Sequence, residues 1–292
     1  MTETERAPRA ALVPQAAERT RVELGLVGAG RAGWALGVSL RAAGWPVTAV
    51  ASSRLPAARR LAGAVGAVAL PRAEAVLTRA AATWLCVPDD ALAPLAAAAA
   101  DRLAPGALRG RVVLHTSGRH GREVLAPLRG RGAAVGSLHP LAALARPDPE
   151  LLRGAVMALD ADPGAEPVAT ALARSLGATP LAIPESVRVL YHAAAVLAGN
   201  FPLVLLRLAE ELLVEAGVGE AGPGLRTLLQ GAAANAVALG PAAALTGPAA
   251  RGDRGTAAAH LAALAAVDPA LARLYEACSA LAAPADALRG VA

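Results

Sequence analysis

The chain contains no lysine, and all 28 of its basic residues are arginine. A Schiff base, a phosphate-binding P-loop lysine and a lysine general acid each need an ε-amine, so those mechanisms are excluded. Arginine stays protonated, which leaves histidine as the natural side chain to exchange a proton near neutral pH. Cysteine is almost as scarce. Cys86 and Cys278 stand far apart and form no C-x-x-C pair, which argues against a disulfide framework or a zinc knuckle and suits a reducing, cytoplasmic setting. Basic residues crowd between Arg109 and Arg131 with no interleaved aromatics. The net charge of +5 therefore suggests a solvated rim and no nucleic-acid surface. Residues 1–20 have no apolar run of the signal-peptide type and read as a flexible tail. The longest apolar stretch, "VLYHAAAVLAGNFPLVLLRL", is interrupted by His192, Asn200 and Pro202. It reads as a buried helix and not as a membrane span.

From Val22 onward, short β-like runs alternate with Ala-rich helical stretches. Strands are expected at 22–27, 46–52, 82–87, 111–116, 133–139, 155–160 and 179–183. That alternation predicts a doubly wound, mainly parallel α/β domain over residues 21–183. After Pro184 the pattern is helical, at 185–215, 222–239, 255–266 and 269–282, with Gly and Pro between. Residues 184–292 are therefore expected to form an all-α domain.

"GLVGAGRAG" places Gly28, Ala29, Gly30, Arg31, Ala32 and Gly33 between the first strand and the first helix, which is where a G-x-G-x-x-G turn binds a dinucleotide pyrophosphate. An acid after the second strand would hold an NAD ribose. This chain has none there, and offers Ser52, Ser53 and Arg54. Two hydroxyls and a guanidinium attract a 2′-phosphate, so the expected cofactor is NADP(H). Val87, Pro88 and Asp89, after the strand at 82–87, are expected beside the cofactor, with Asp89 or Asp90 also a candidate helix N-cap. Ser117 in "LHTSG" is a further candidate contact.

"LHTSG" and "GSLHPLAAL" put His115 and His139 at strand ends, where open α/β sheets keep their chemistry. Pro140 fixes the chain beyond His139, which favours His139 over His115 for proton transfer or substrate orientation. No carboxylate or cysteine completes a ligand set, so no metal is expected. His120 reads as an exposed loop residue. "RVLYHAAAVLAGN" spaces Arg188, His192 and Asn200 at multiples of four on one broad helix face, and Pro202 should kink that helix and free the Ala198 carbonyl. In "LTGPAARGDRGTAAAHL", Asp253 reads as a cap with a salt bridge, and Arg251 is free to clamp a substrate carboxylate.

These four motifs together resemble the Rossmann-like proteins with a C-terminal domain of unknown function 2520. In architecture that family is similar to ketopantoate reductases, pyrroline-5-carboxylate reductases and relatives of 6-phosphogluconate dehydrogenase. The resemblance implies an NADP-dependent oxidoreductase whose helical domain helps to build a homodimer. The His-Pro pair is also similar to that of prephenate dehydrogenases, where the histidine contacts substrate. The hydroxyacid dehydrogenase and ketopantoate reductase groups carry a lysine on the first long helix of the second domain, and here that helix carries Arg188 and His192 instead.

The expected activity is hydride transfer between NADPH and a small carbonyl or imine acid held between the domains. His192 or His139 would be the proton donor, Asn200 an orienting partner and Arg251 the carboxylate clamp. The alternative is a non-catalytic NADPH-binding sensor or partner-binding protein, since fold alone does not establish turnover.

Overall fold

The structure, a computed structural model, describes residues 22–282; the expected tail at 1–20 lies outside them. Eight strands, β1 (Leu24–Val27), β2 (Val47–Ala51), β3 (Val68–Leu70), β4 (Ala82–Leu85), β5 (Val112–His115), β6 (Ala134–Pro140), β7 (Val156–Ala161) and β8 (Thr179–Ala182), form one sheet. Their order is β3-β2-β1-β4-β5-β6-β7-β8. Every pair is parallel except β6 with β7. The connections are α1 (Arg31–Ala42), α2 (Leu55–Val65), α3 (Ala73–Arg79), α4 (Asp89–Asp101), α5 (Ala126–Arg129) and α6 (Glu166–Ser175).

Each central strand reads as a nearly continuous apolar run because both of its faces are covered, as parallel sheets require. Alternate side chains part to the two faces. Leu24, Leu26, Trp84 and Leu114 pack with Leu36 and Leu40 of α1, Leu61 of α2 and Leu172 of α6. Val27, Leu85, Val113 and Val135 pack with Leu77 of α3, Leu92 and Ala96 of α4 and Leu128 of α5. The alanine run of α4 therefore buries one stripe while its other side stays exposed. Strand β3 was not anticipated. It is a half-exposed edge of three residues, too short to carry a period-two signal.

The remaining helices are α7 (Arg188–Gly199), α8 (Phe201–Glu215), α9 (Gly222–Leu239), α10 (Pro241–Ala244), α11 (Arg254–Val267) and α12 (Pro269–Ala282). The kink expected at Pro202 is a full break at Asn200, because proline has no N–H to continue the ladder and is tolerated in a helix's first turn. By compactness the chain divides between Phe201 and Pro202. This lies beyond the division expected at residue 184, because α7 packs on the sheet unit through Arg188, Tyr191 and His192.

The apolar stretch expected to be a buried helix is not buried. Residues Glu185–Glu215 are long and apolar enough to cross a membrane, with a mean hydropathy of 1.8, and none of the apolar window is enclosed by the chain. In the second unit, Gly222 is the one buried residue among the described helices. Within that unit Arg226 pairs with Glu210 at 2.7 Å. Asp253 caps α11 as expected, accepting from the Thr256 N–H at 3.0 Å and from its hydroxyl at 2.7 Å. Those bonds occupy the carboxylate, and the salt bridge expected with it is not formed.

The arginine-rich segment also departs from a solvated rim. Arg122 pairs with Asp160 at 2.8 Å, and Arg129 with Asp162 at 2.9 Å and Glu123 at 2.8 Å. Arg111 and Arg131 donate to the carbonyls of Ala80 and Ala100. These four guanidinium groups are engaged by partners within the chain.

Candidate functional site

The parallel strands β1, β2, β4, β5 and β6 all end on one edge, and the order reverses between β1 and β4, where open α/β sheets leave a crevice. A cavity of about 470 Å³ lies there. Gly28, Ala29, Gly30, Ser52, Ser53, Arg54, Val87 and Pro88, all candidates for cofactor contact, line it. Arg31, Ala32 and Gly33 in the first turn of α1 and Asp89 at the start of α4 are not among its lining residues. Asp89 and Asp90 sit in the first turn of α4, where carboxylates favour the helix N-terminus. Neither is its N-cap; Pro88 holds that position.

The glycine turn passes a direct test of fit. Gly28 has a φ of +107°, and a Cβ there would strike the Cys86 carbonyl. A Cβ on Gly33 would collide with the carbonyl of Gly28, so helix and turn pack backbone to backbone. A Cβ on Gly30 would meet nothing within 4 Å. That open space, next to the first N–H groups of α1, is what a pyrophosphate needs. Cys86 on the wall is no nucleophile, because burial pushes its thiol up to about 12. Sequence reading missed Arg72, Glu74 and Arg102 on the same wall. The first two follow the unanticipated β3, and the third ends α4.

Farther along the edge, His139 and His192 converge above Gly118. A Cβ on Gly118 would lie 2.7 Å from His192 and 2.9 Å from His139 Nε2, so only glycine lets the rings meet. Their planes are perpendicular with centroids 5.8 Å apart. The His139 Nδ1 and the Tyr191 hydroxyl are hydrogen-bonded at 2.9 Å. Burial lowers His139 to about 4, so its ring is neutral at pH 7. Burial also raises Tyr191 above its usual value, so the phenol keeps its proton. Tyr191 was not singled out, although the motif containing His192 places it one residue away, and this chain has just two tyrosines.

The other sequence candidates have different places. Ser117 lies outside the cavity; its hydroxyl accepts from the N–H groups of Arg119 and His120. His115 is fully buried. Its Nδ1 accepts from the Ser117 N–H at 3.1 Å and its Nε2 donates to the Gly121 carbonyl at 2.9 Å, which defines a neutral tautomer. Burial lowers its pKa to about 4. His120 is half-buried beside the Arg119 guanidinium, and not fully exposed. Arg188 is buried and braces the loop, donating to Ser137 Oγ at 2.9 Å and to the His120 carbonyl at 3.2 Å. Its Nε and Nη2 have no hydrogen-bond partner among the described residues. Asn200 is exposed at the C-cap of α7. Eight residues of helical rise carry it about 12 Å from His192, beyond hydrogen-bonding reach. Arg251 is an exposed residue of the second unit. No group of three or more potential metal ligands occurs among the described residues.

The sheet order, the open glycine turn and the crevice at the point of strand reversal define a Rossmann-like protein of the dinucleotide-binding class. Residues 8–140 match the family model of the Rossmann-like domain. Residues 155–282 match that of a Domain of unknown function (DUF2520). The chain pairs these two domains, as its motifs led us to expect, and the second match begins early enough to take in β7, α6 and β8. Among solved structures it is similar to a candidate NADP oxidoreductase from Bacteroides fragilis, with 25% identity and a TM-score of 0.74 over 90% of this chain and 98% of that one. It is similar to a Thermotoga maritima protein, with 24% identity and a TM-score of 0.73 over 88% and 97% of the two chains. A pyrroline-5-carboxylate reductase from Coxiella burnetii shares the fold at 12% identity and a TM-score of 0.58, over 90% and 99%. No curated protein matches the sequence.

Proposed function

We propose that the protein is an NADP(H)-dependent oxidoreductase acting on a small carbonyl or imine, with an acid as the favoured substrate class. The observation that carries this reading is the cavity wall that joins the open turn at Gly30 to Ser52, Ser53 and Arg54, with no carboxylate after β2. The Bacteroides fragilis relative supports it.

Bound NADPH would supply a hydride. The chain's own residues would supply the proton to the oxygen or nitrogen that gains negative charge. A histidine with a pKa near 4 holds little imidazolium at neutral pH, so His139 serves best as a relay. The Tyr191 hydroxyl carries the proton, His139 Nδ1 orients that hydroxyl, and His192 closes the other side. This moves the acid role from a histidine alone to a Tyr–His pair. The protein is further proposed to act as a cytoplasmic homodimer. Cys86 and Cys278 are both free thiols, and exposed apolar side chains on the second unit suit a second copy.

Titration with NADPH and NADH, followed by fluorescence, tests the reading in wild type and Arg54→Ala. Selective NADPH binding that weakens in the variant by about tenfold, the worth of one charge-assisted hydrogen bond, is the expected result. Equal binding of both cofactors would refute the phosphate site. In a screen of keto acids and imines, Tyr191→Phe should lower kcat and leave NADPH binding unchanged.

A further inference from the structure

The nucleotide cavity holds more charge than the turn after β2 supplies. Arg72 lies two residues beyond the end of β3, as Arg54 lies three beyond the end of β2. Those ends are neighbours in the sheet, with Ala51 in register with Leu70. Arg102 reaches the same wall from the C-cap of α4. Between the two stands Glu74, in the first turn of α3, with its side chain only 15% exposed. Its Oε1 faces the Nε of Arg72 at 3.4 Å and the Nε of Arg102 at 3.9 Å.

One carboxylate oxygen thus forms ion pairs with two guanidinium groups, nearest the inner nitrogen of each. Among the described residues neither has a hydrogen-bond partner at its outer Nη atoms, which form the fork that grips a phosphate. Three arginines against one carboxylate leave this wall with two net positive charges. A phosphate monoester carries about −1.5 to −2 near neutral pH, whereas a bound pyrophosphate would be met by backbone N–H groups at the glycine turn. The surplus therefore suits a second phosphate, on the ribose side of the nucleotide.

We infer that Arg72 and Arg102, anchored through their Nε atoms by Glu74, form the second half of a clamp for a ribose 2′-phosphate that Arg54 begins. Arg72 is then a specificity-determining residue and Glu74 a positioning residue. The inference rests on the proposed NADP(H) reading. It adds that discrimination against NAD(H) is shared between the turns after β2 and β3.

Calorimetric titration of the full chain with adenosine 2′,5′-bisphosphate and adenosine 5′-monophosphate separates the two claims. Wild type should prefer the bisphosphate. Arg72→Ala should weaken the bisphosphate by about tenfold and leave the monophosphate unchanged, with Arg72→Lys in between. Its unfolding midpoint should not move, because the side chain is mostly exposed. Glu74→Gln should weaken only the bisphosphate, by a smaller factor, as the forks lose their anchor. Full bisphosphate affinity in Arg72→Ala beside a loss in Arg54→Ala overturns this inference and leaves the NADP(H) reading standing. No preference in wild type overturns both. An equal loss of both ligands in Arg72→Ala, or tighter bisphosphate binding in Glu74→Gln, also overturns the clamp as described.

Discussion

The two units of this chain are built from similar apolar residues and treat them in opposite ways. In the first, Leu36 and Leu61 are wholly buried, because helices cover both faces of the sheet. In the second, Val237 is 90% exposed and Leu281 89%, and its helices enclose almost nothing. Apolar composition measures what a segment will bury if a surface is offered; it does not say that the same chain offers one. Large exposed apolar patches mark interaction sites, and the proposed second copy would cover these side chains, while the first unit already contains its own core.

The contrast breaks most visibly in the core of the first unit. Leu61→Ala should lower unfolding free energy by about 3 kcal/mol, because it leaves a cavity between α2 and the sheet. Denaturant melts should show the same loss at every protein concentration. A shift that grows on dilution would mean that this unit also depends on a partner.

Next in size is the pH response, also confined to the first unit. Burial lowers His115 to about 4 in the folded chain against about 6.5 when unfolded, so between those values the unfolded chain holds one more proton at this residue. The stability that His115 contributes is therefore complete above about pH 6.5 and declines as pH falls toward 4, by about 3 kcal/mol at most, and His139, lowered likewise, adds a second decline in the same window. His115→Asn melts across this window should show a shallower slope, and an unchanged slope would place the proton uptake elsewhere.

The second unit should answer in association. Val237→Asp places a charge in the proposed interface and should weaken self-association at least about tenfold, which corresponds to 1.4 kcal/mol, as read by sedimentation. Unaltered association would remove this face from the interface. The smallest effect is expected at Asp253→Ala, from the lost cap of α11, detectable as earlier melting of the helical signal.

The sequence was most legible where one residue's own backbone decides the outcome. The three glycines, the break before Pro202 and the cap at Asp253 each follow from local sterics or from a hydrogen bond spanning three residues. Strand β3 was illegible because three half-exposed residues carry no period. With it went the view of Arg72 and Glu74, which enter the cavity only because β3 lies beside β2. Asn200 was over-read, since residues on one helix face are still separated by axial rise.

By itself, then, the sequence determined the alternation of strands and helices, the helical second half, the glycine turn and the want of an acid after β2. It also excluded lysine chemistry. Tertiary structure alone decided that His115 is a neutral internal brace, that His139 meets Tyr191 and His192 above Gly118, and that Arg188 is buried. It also brought three arginines to one wall. Local order follows from bonds between near neighbours. Protonation, burial and convergence depend on which distant segments the sheet sets side by side, and no single stretch of chain contains that information.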